Sequence, residues 1–106
     1  AYRALALQKL RSHDSPKNAL GSAAPVFDGM ERAVRYGVAH PAQPHNATAA
    51  GKTGTASGTN TQRTHGFFVG YSPADKPEIA IVVYLEHGRG IDAAAVAGKM
   101  LDAYWK

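Results

Sequence analysis

Residues 78–85, Glu-Ile-Ala-Ile-Val-Val-Tyr-Leu, constrain the fold more than any other segment. The run is rich in β-branched side chains, which favour extended backbone. It is apolar at both parities: Ile79, Ile81, Val83 and Leu85 on one side, Ala80, Val82 and Tyr84 on the other. A strand of this kind belongs inside a sheet, covered on both faces. Two more strands are expected before it, at 48–57 and 66–71. The Pro- and Asp-containing stretch 72–77 between the last two has hairpin-loop composition, so the pairing should be antiparallel.

Helical spacing marks the flanks. Residues 1–12 are good helix formers and read as a short helix, with Leu5 and Leu10 as its candidate buried positions. Pro16 ends that pattern, and residues 17–24 read as loop or lead-in. Phe27, Met30, Val34 and Val38 then recur at helical intervals behind Pro25, and Glu31–Arg35 is an i,i+4 pair. His40 to Asn46, with two prolines, reads as loop, and 58–65 as a mobile polar connection. From Ile91 onward a last helix has Asp92 as candidate N-cap, Val96, Met100 and Tyr104 on one stripe, and Ala97, Leu101 and Trp105 beside it. The fold class that results is α+β, an antiparallel sheet flanked by helices. These helices suffice for one sheet face. The other, including Phe68 or its neighbours, needs cover that residues 1–106 do not supply, so an incomplete domain or a second chain is expected.

The net charge of +4 is dispersed along the chain and does not form the basic, aromatic-studded face of a nucleic-acid binder. There are no cysteines, which excludes disulfides and thiolate metal sites. No apolar run is long enough to span a bilayer. The chain starts at Ala1 without a methionine, so an excised piece is expected, with any anchor or export signal in sequence outside it.

One segment carries chemistry: Gly51-Lys52-Thr53-Gly54-Thr55. Glycines inside a strand often mark close approach of a ligand or another backbone. Lys52 among Ala49, Ala50 and Ala56 can line a cleft, and the threonine hydroxyls can bind an anion. Alternation puts Lys52 and Gly54 on one face and Thr53 and Thr55 on the other, a conflict that a twisted edge strand beside a cleft would ease. A phosphate loop is the rival reading, but Asn46 stands where its first glycine belongs, and no helix-forming sequence follows Thr55. His40 and His45 are expected to have no acidic or cysteine partner and read as surface. Tyr71, Phe67, Tyr104 and Trp105 read as core, and Arg89 as part of a turn.

Lys-Thr-Gly is one of three signatures of the penicillin-binding and serine β-lactamase group, beside Ser-x-x-Lys and Ser-x-Asn/Asp. The order around it strengthens the match: Ala50 to Ala56, a variable polar loop, His65-Gly66-Phe67-Phe68-Val69-Gly70-Tyr71-Ser72-Pro73-Ala74-Asp75, Pro77 to Val83, then Glu86-His87-Gly88 and a helix. From about Asp28 to the end, the chain resembles the C-terminal part of a cell-division or elongation type penicillin-binding transpeptidase. Residues 1–24 match loosely, and 25–106 carry the helix, three strands and C-terminal helix. The resemblance implies a partial transpeptidase-like fold and acyl transfer on D-alanyl-D-alanine stem peptides, with β-lactams as alternative ligands and no cofactor or metal. It implies an extracytoplasmic, periplasmic setting, with the rest of the parent as partner. Lys52 and Thr55 would be catalytic: Lys52 through electrostatics and proton traffic, Thr55 through its backbone N–H in the oxyanion hole. Thr53, Gly54 and Thr55 would bind substrate, with the two hydroxyls on its terminal carboxylate. Ser12, Ser15, Ser22, Ser57 and Ser72 all lack a lysine three residues later, so no activated nucleophile is in view. Alone, the chain should be an inactive half-site. A non-catalytic domain that binds a peptide or partner on the same scaffold is the alternative.

Overall fold

The computed structural model describes residues 24–58 and 63–106 in full, and residues 2–9 by their backbone. Strands β1 (Tyr2–Lys9), β2 (Ala50–Ser57), β3 (Thr64–Ser72) and β4 (Ile79–Leu85) form one antiparallel sheet in the order β1-β4-β3-β2. Helix α1 (Ala24–Arg35) precedes β2, a short 3₁₀ turn (His40–Ala42) follows α1, and α2 (Gly90–Tyr104) closes the chain. The α+β architecture is as expected, and three strands and the last helix end within two residues of their expected bounds; α1 stops at Arg35, so Val38, expected on its apolar stripe, lies past the helix and is exposed.

Residues 2–9 are a correction: they form a strand against β4, not a helix. Helix propensity is a weak preference, and β4 would otherwise leave a row of backbone donors and acceptors unpaired. The breaker around Pro16, the lead-in over 17–23 and the part of the polar connection at 59–62 lie outside the described residues.

The core lies between the sheet and α2. Ile79, Ile81, Val83 and Leu85 point to one face, together with Phe68, and all are buried against Ala93, Ala94, Ala97 and Leu101. Small side chains on the helix let it lie close to the sheet. The stripe of Ala97, Leu101 and Trp105 is therefore the inner one; Val96 and Met100 pack at its margin, while Tyr104 turns largely outward. Beyond the core, Trp105 Nε1 donates to the buried Ser72 hydroxyl at 2.9 Å, and Ser72 donates to the Thr48 carbonyl. Those bonds tie the end of α2 to β3 and to the approach of β2.

The opposite face is open among the described residues. Phe67 and Val69 are 38% and 43% exposed, and Ala80, Val82 and Tyr84 are half-buried. β4 is central, as its sequence requires, but the described residues cover only one of its faces. The residue in need of cover is not Phe68, which lies beneath α2; it is its neighbours Phe67 and Val69. Phe67 is accordingly not a core residue of this chain. Tyr71 on the same face is half-buried, its ring 6.3 Å from that of Phe27 on α1.

Candidate active site on an edge strand

β2 is the last strand of the sheet and pairs with β3 alone among the described strands. Half of its backbone N–H and C=O groups therefore face away from the ladder, available to an extended ligand. In the register, Lys52 lies opposite Val69 and Gly54 opposite Phe67, on the open face. Thr53 lies opposite Phe68 and Thr55 opposite Gly66, on the face that carries α2. Alternation thus divides the motif between two faces, and only an edge position lets both border one cleft.

The two glycines differ in what they do. A Cβ on Gly51 would sit 2.3 Å from the Phe68 ring and 2.9 Å from the Val69 carbonyl, so Gly51 makes room for the protein's own core. At Gly54 nothing lies nearer than the Phe67 side chain at 3.8 Å, and that position is open to a ligand. Lys52 is exposed, with Nζ donating to the Thr53 carbonyl at 2.6 Å. No carboxylate of the described residues pairs with it. Its charge is directed at the open face without a fixed counterion among the described residues. The Thr55 hydroxyl accepts the Gly90 N–H at 2.8 Å, which leaves its own proton to donate. Thr53 is half-buried beside it.

Further along the open face, Tyr84 and His65 are joined by a 2.8 Å hydrogen bond between the phenol and Nδ1, their rings stacked 5.8 Å apart. Phe67 leans on the same tyrosine at 5.2 Å. Sequence reasoning missed this row, because it needs the β3–β4 register. It also missed Gly90, whose place in Gly88-Arg89-Gly90 signals only a turn. The sequence spells Ser-x-Asp at Ser12-His13-Asp14, outside the described residues.

The remaining candidates have structural partners. His40 Nδ1 lies 3.1 Å from the carbonyls of both Val34 and Arg35 and closes the end of α1. Asp92 is not the N-cap. It is the third residue of α2, and its carboxylate accepts the Arg89 N–H at 2.8 Å. His45 clasps α2 from the preceding loop: its backbone N–H and ring Nδ1 meet Asp102 at 2.8 and 3.0 Å. These bonds, the backbone one first, hold the Asp102 carboxyl below its ordinary value against a small opposing effect of desolvation. A depressed folded-state pKa stabilises above the unfolded-state value and loses that contribution as pH falls through the folded-state one. Asp102→Asn should thus be less stable than the parent sequence near neutrality, with the gap closing from about pH 5 downward. Urea midpoints measured across that range check it.

An antiparallel sheet flanked by helices, with Lys-Thr-Gly on an edge strand, defines the class: the penicillin-binding and serine β-lactamase group. Within it, the model of the penicillin binding protein transpeptidase domain matches residues 14–103, and the chain belongs to that family. The peptidoglycan D,D-transpeptidase MrdA of Acinetobacter baumannii is 44% identical over 70 residues, covering 53% of this chain and 10% of that protein. Among solved structures, the D,D-transpeptidase domain of an Eggerthella lenta peptidoglycan glycosyltransferase superposes with a TM-score of 0.62 at 30% identity. That match covers 74% of this chain and 18% of the other. Penicillin-binding protein 2 of Pseudomonas aeruginosa gives 0.58 at 36% identity, over 76% and 19%. The chain spans a tenth of the curated relative and less than a fifth of these two solved chains. Among the described residues, no helix is long and apolar enough to cross a membrane.

Proposed function

We propose that this chain forms the Lys-Thr-Gly wall of the active site of a peptidoglycan D,D-transpeptidase. The observation that carries the proposal is a strand edge, unpaired among the described residues, bearing Lys52, Gly54 and Thr55 in a chain of this family. In the reaction, a serine from outside residues 1–106 attacks the carbonyl of the penultimate D-alanine of a stem peptide. The C–N bond to the terminal D-alanine breaks, that residue leaves with a proton as the free amino acid, and an acyl ester remains on the serine. An amine of a second stem peptide then displaces the serine, forming the cross-link and returning the proton. Lys52 stabilises negative charge and helps move the proton at the serine. The Thr55 N–H faces the carbonyl oxygen as it becomes an oxyanion. The hydroxyls of Thr53 and Thr55 hold the terminal carboxylate, and the bare Gly54 lets the peptide approach. A β-lactam, which presents a strained amide and a carboxylate, takes the same place.

The open face with Phe67 and Val69 supports the other half of the proposal. It is the surface on which the rest of the parent protein docks, carrying the nucleophile to the Lys52 side of β2. The parent is placed at the outer face of the cytoplasmic membrane, anchored through sequence beyond residues 1–106.

Intact mass after incubation with benzylpenicillin tests this reading. The 106-residue chain should keep its mass, while the longer parent gains one stoichiometric adduct on a serine outside the segment. An adduct on the short chain, mapped to one of its own serines, overturns the half-site. A parent without any adduct points to a binding domain on the same scaffold.

A further inference from the structure

We infer that the backbone amide of Gly90, the first residue of α2, is a positioning group for the Thr55 hydroxyl, so that the helix sets the direction in which the edge strand donates to its ligand. The inference rests on the reading of Thr55 as a carboxylate-binding residue. A threonine hydroxyl has one proton and can rotate it among several directions. Accepting the Gly90 N–H at 2.8 Å commits a lone pair on that side and turns the proton away from the helix.

The amide cannot easily drift from this position. A Cβ on Gly90 would lie 2.9 Å from the Thr53 Cβ and 3.0 Å from both the nitrogen and oxygen of Gly54, so only glycine brings the helix start this near to the motif. The turn before it is held from two sides. Gly88 donates to the Thr64 carbonyl at 3.0 Å, and the Thr64 hydroxyl donates back to the Gly88 carbonyl at 2.7 Å. The Arg89 N–H is tied to Asp92. Behind it, Ala93, Ala94 and Ala97 are fully buried in the core, so α2, β3 and the site strand form one packed unit.

A hydroxyl that merely satisfied an unpaired helix amide would show the same bond. The two roles separate in a double-mutant cycle, because a positioning group acts only through the hydroxyl that it positions. The experiment measures benzylpenicillin acylation rates of the full-length parent, with melting temperatures to confirm folding. Gly90→Ala should slow acylation about tenfold when Thr55 or Thr55→Ser is present, and by no more than about twofold in the Thr55→Val background. Equal fold-losses in all backgrounds overturn the inference and leave Gly90 as a packing residue. If the unaltered parent is not acylated, the reading of the site fails and the inference with it. Should Gly90→Ala not fold, Thr64→Val, which removes the hydroxyl bond to the Gly88 carbonyl that holds the turn, takes its place in the same cycle. It should slow acylation severalfold with Thr55 and Thr55→Ser and hardly at all with Thr55→Val, whereas equal fold-losses in the three backgrounds are the overturning result.

Discussion

Phe68→Ala is expected to cost about 3–5 kcal/mol of folding stability, enough to unfold a marginal domain. The Phe68 ring is fully buried, lies under Gly51 of the site strand and shares the core with Val83 and the alanines of α2. Removing it opens a cavity that the sheet cannot close, since β3 is held on both sides by β2 and β4. The same change one residue earlier is the control. Phe67 is 38% exposed on the open face, and Phe67→Ala should cost well under half as much in this chain. Urea unfolding of both variants decides it, and similar losses would mean that the two faces of β3 are assigned the wrong way round.

Lys52→Ala should lower the rate of β-lactam acylation of the parent protein by about 10²–10⁴-fold, the range of a lost acid–base group. The melting temperature should hardly move, because Lys52 is exposed and its one described bond is to the carbonyl of the next residue. Lys52→Arg should not restore the rate: a guanidinium keeps the charge but neither the compact ammonium nor the ability to give up a proton. Acylation kinetics of the three proteins are the measurement. An unchanged rate for Lys52→Ala would remove this residue from the chemistry and leave the strand edge as a peptide-binding surface.

Much of this protein could be read before any coordinates. The two-sided apolar character of 79–85 placed β4 inside a sheet, and the short loop after Ser72 made β3 and β4 a hairpin. The stripe of Phe27, Met30 and Val34 marked α1, although its expected last member Val38 falls past the helix end, and the small-residue stripe through Ala97 and Leu101 gave the inner face of α2. Lys-Thr-Gly with its flanking order pointed to the family and to one strand as the site. These features share a cause: each is a local pattern whose period or chemistry survives any tertiary arrangement.

Other features depended on which partner each element met. Residues 2–9 carry helix-forming side chains yet pair with β4, because an unpaired central strand costs more than propensity returns. The parity of β3 was invisible in Gly-Phe-Phe-Val-Gly-Tyr: a one-residue slip exchanges Phe67 and Phe68 between faces, and only the register with β4 and the seat of α2 choose between them. The glycines of the motif looked alike in sequence. Contacts from Phe68 made one a packing residue, and the lack of contacts left the other open. The bond from Gly90 to Thr55 joins residues 35 apart, and nothing local encodes it. Local patterns were enough for three strands, two helices and the family, and they singled out the strand proposed to bear the chemistry. The tertiary structure alone decided which side of that strand faces the core, which faces open space, and which backbone amide meets its threonine. Those depend on register and on long-range packing, which no local pattern carries.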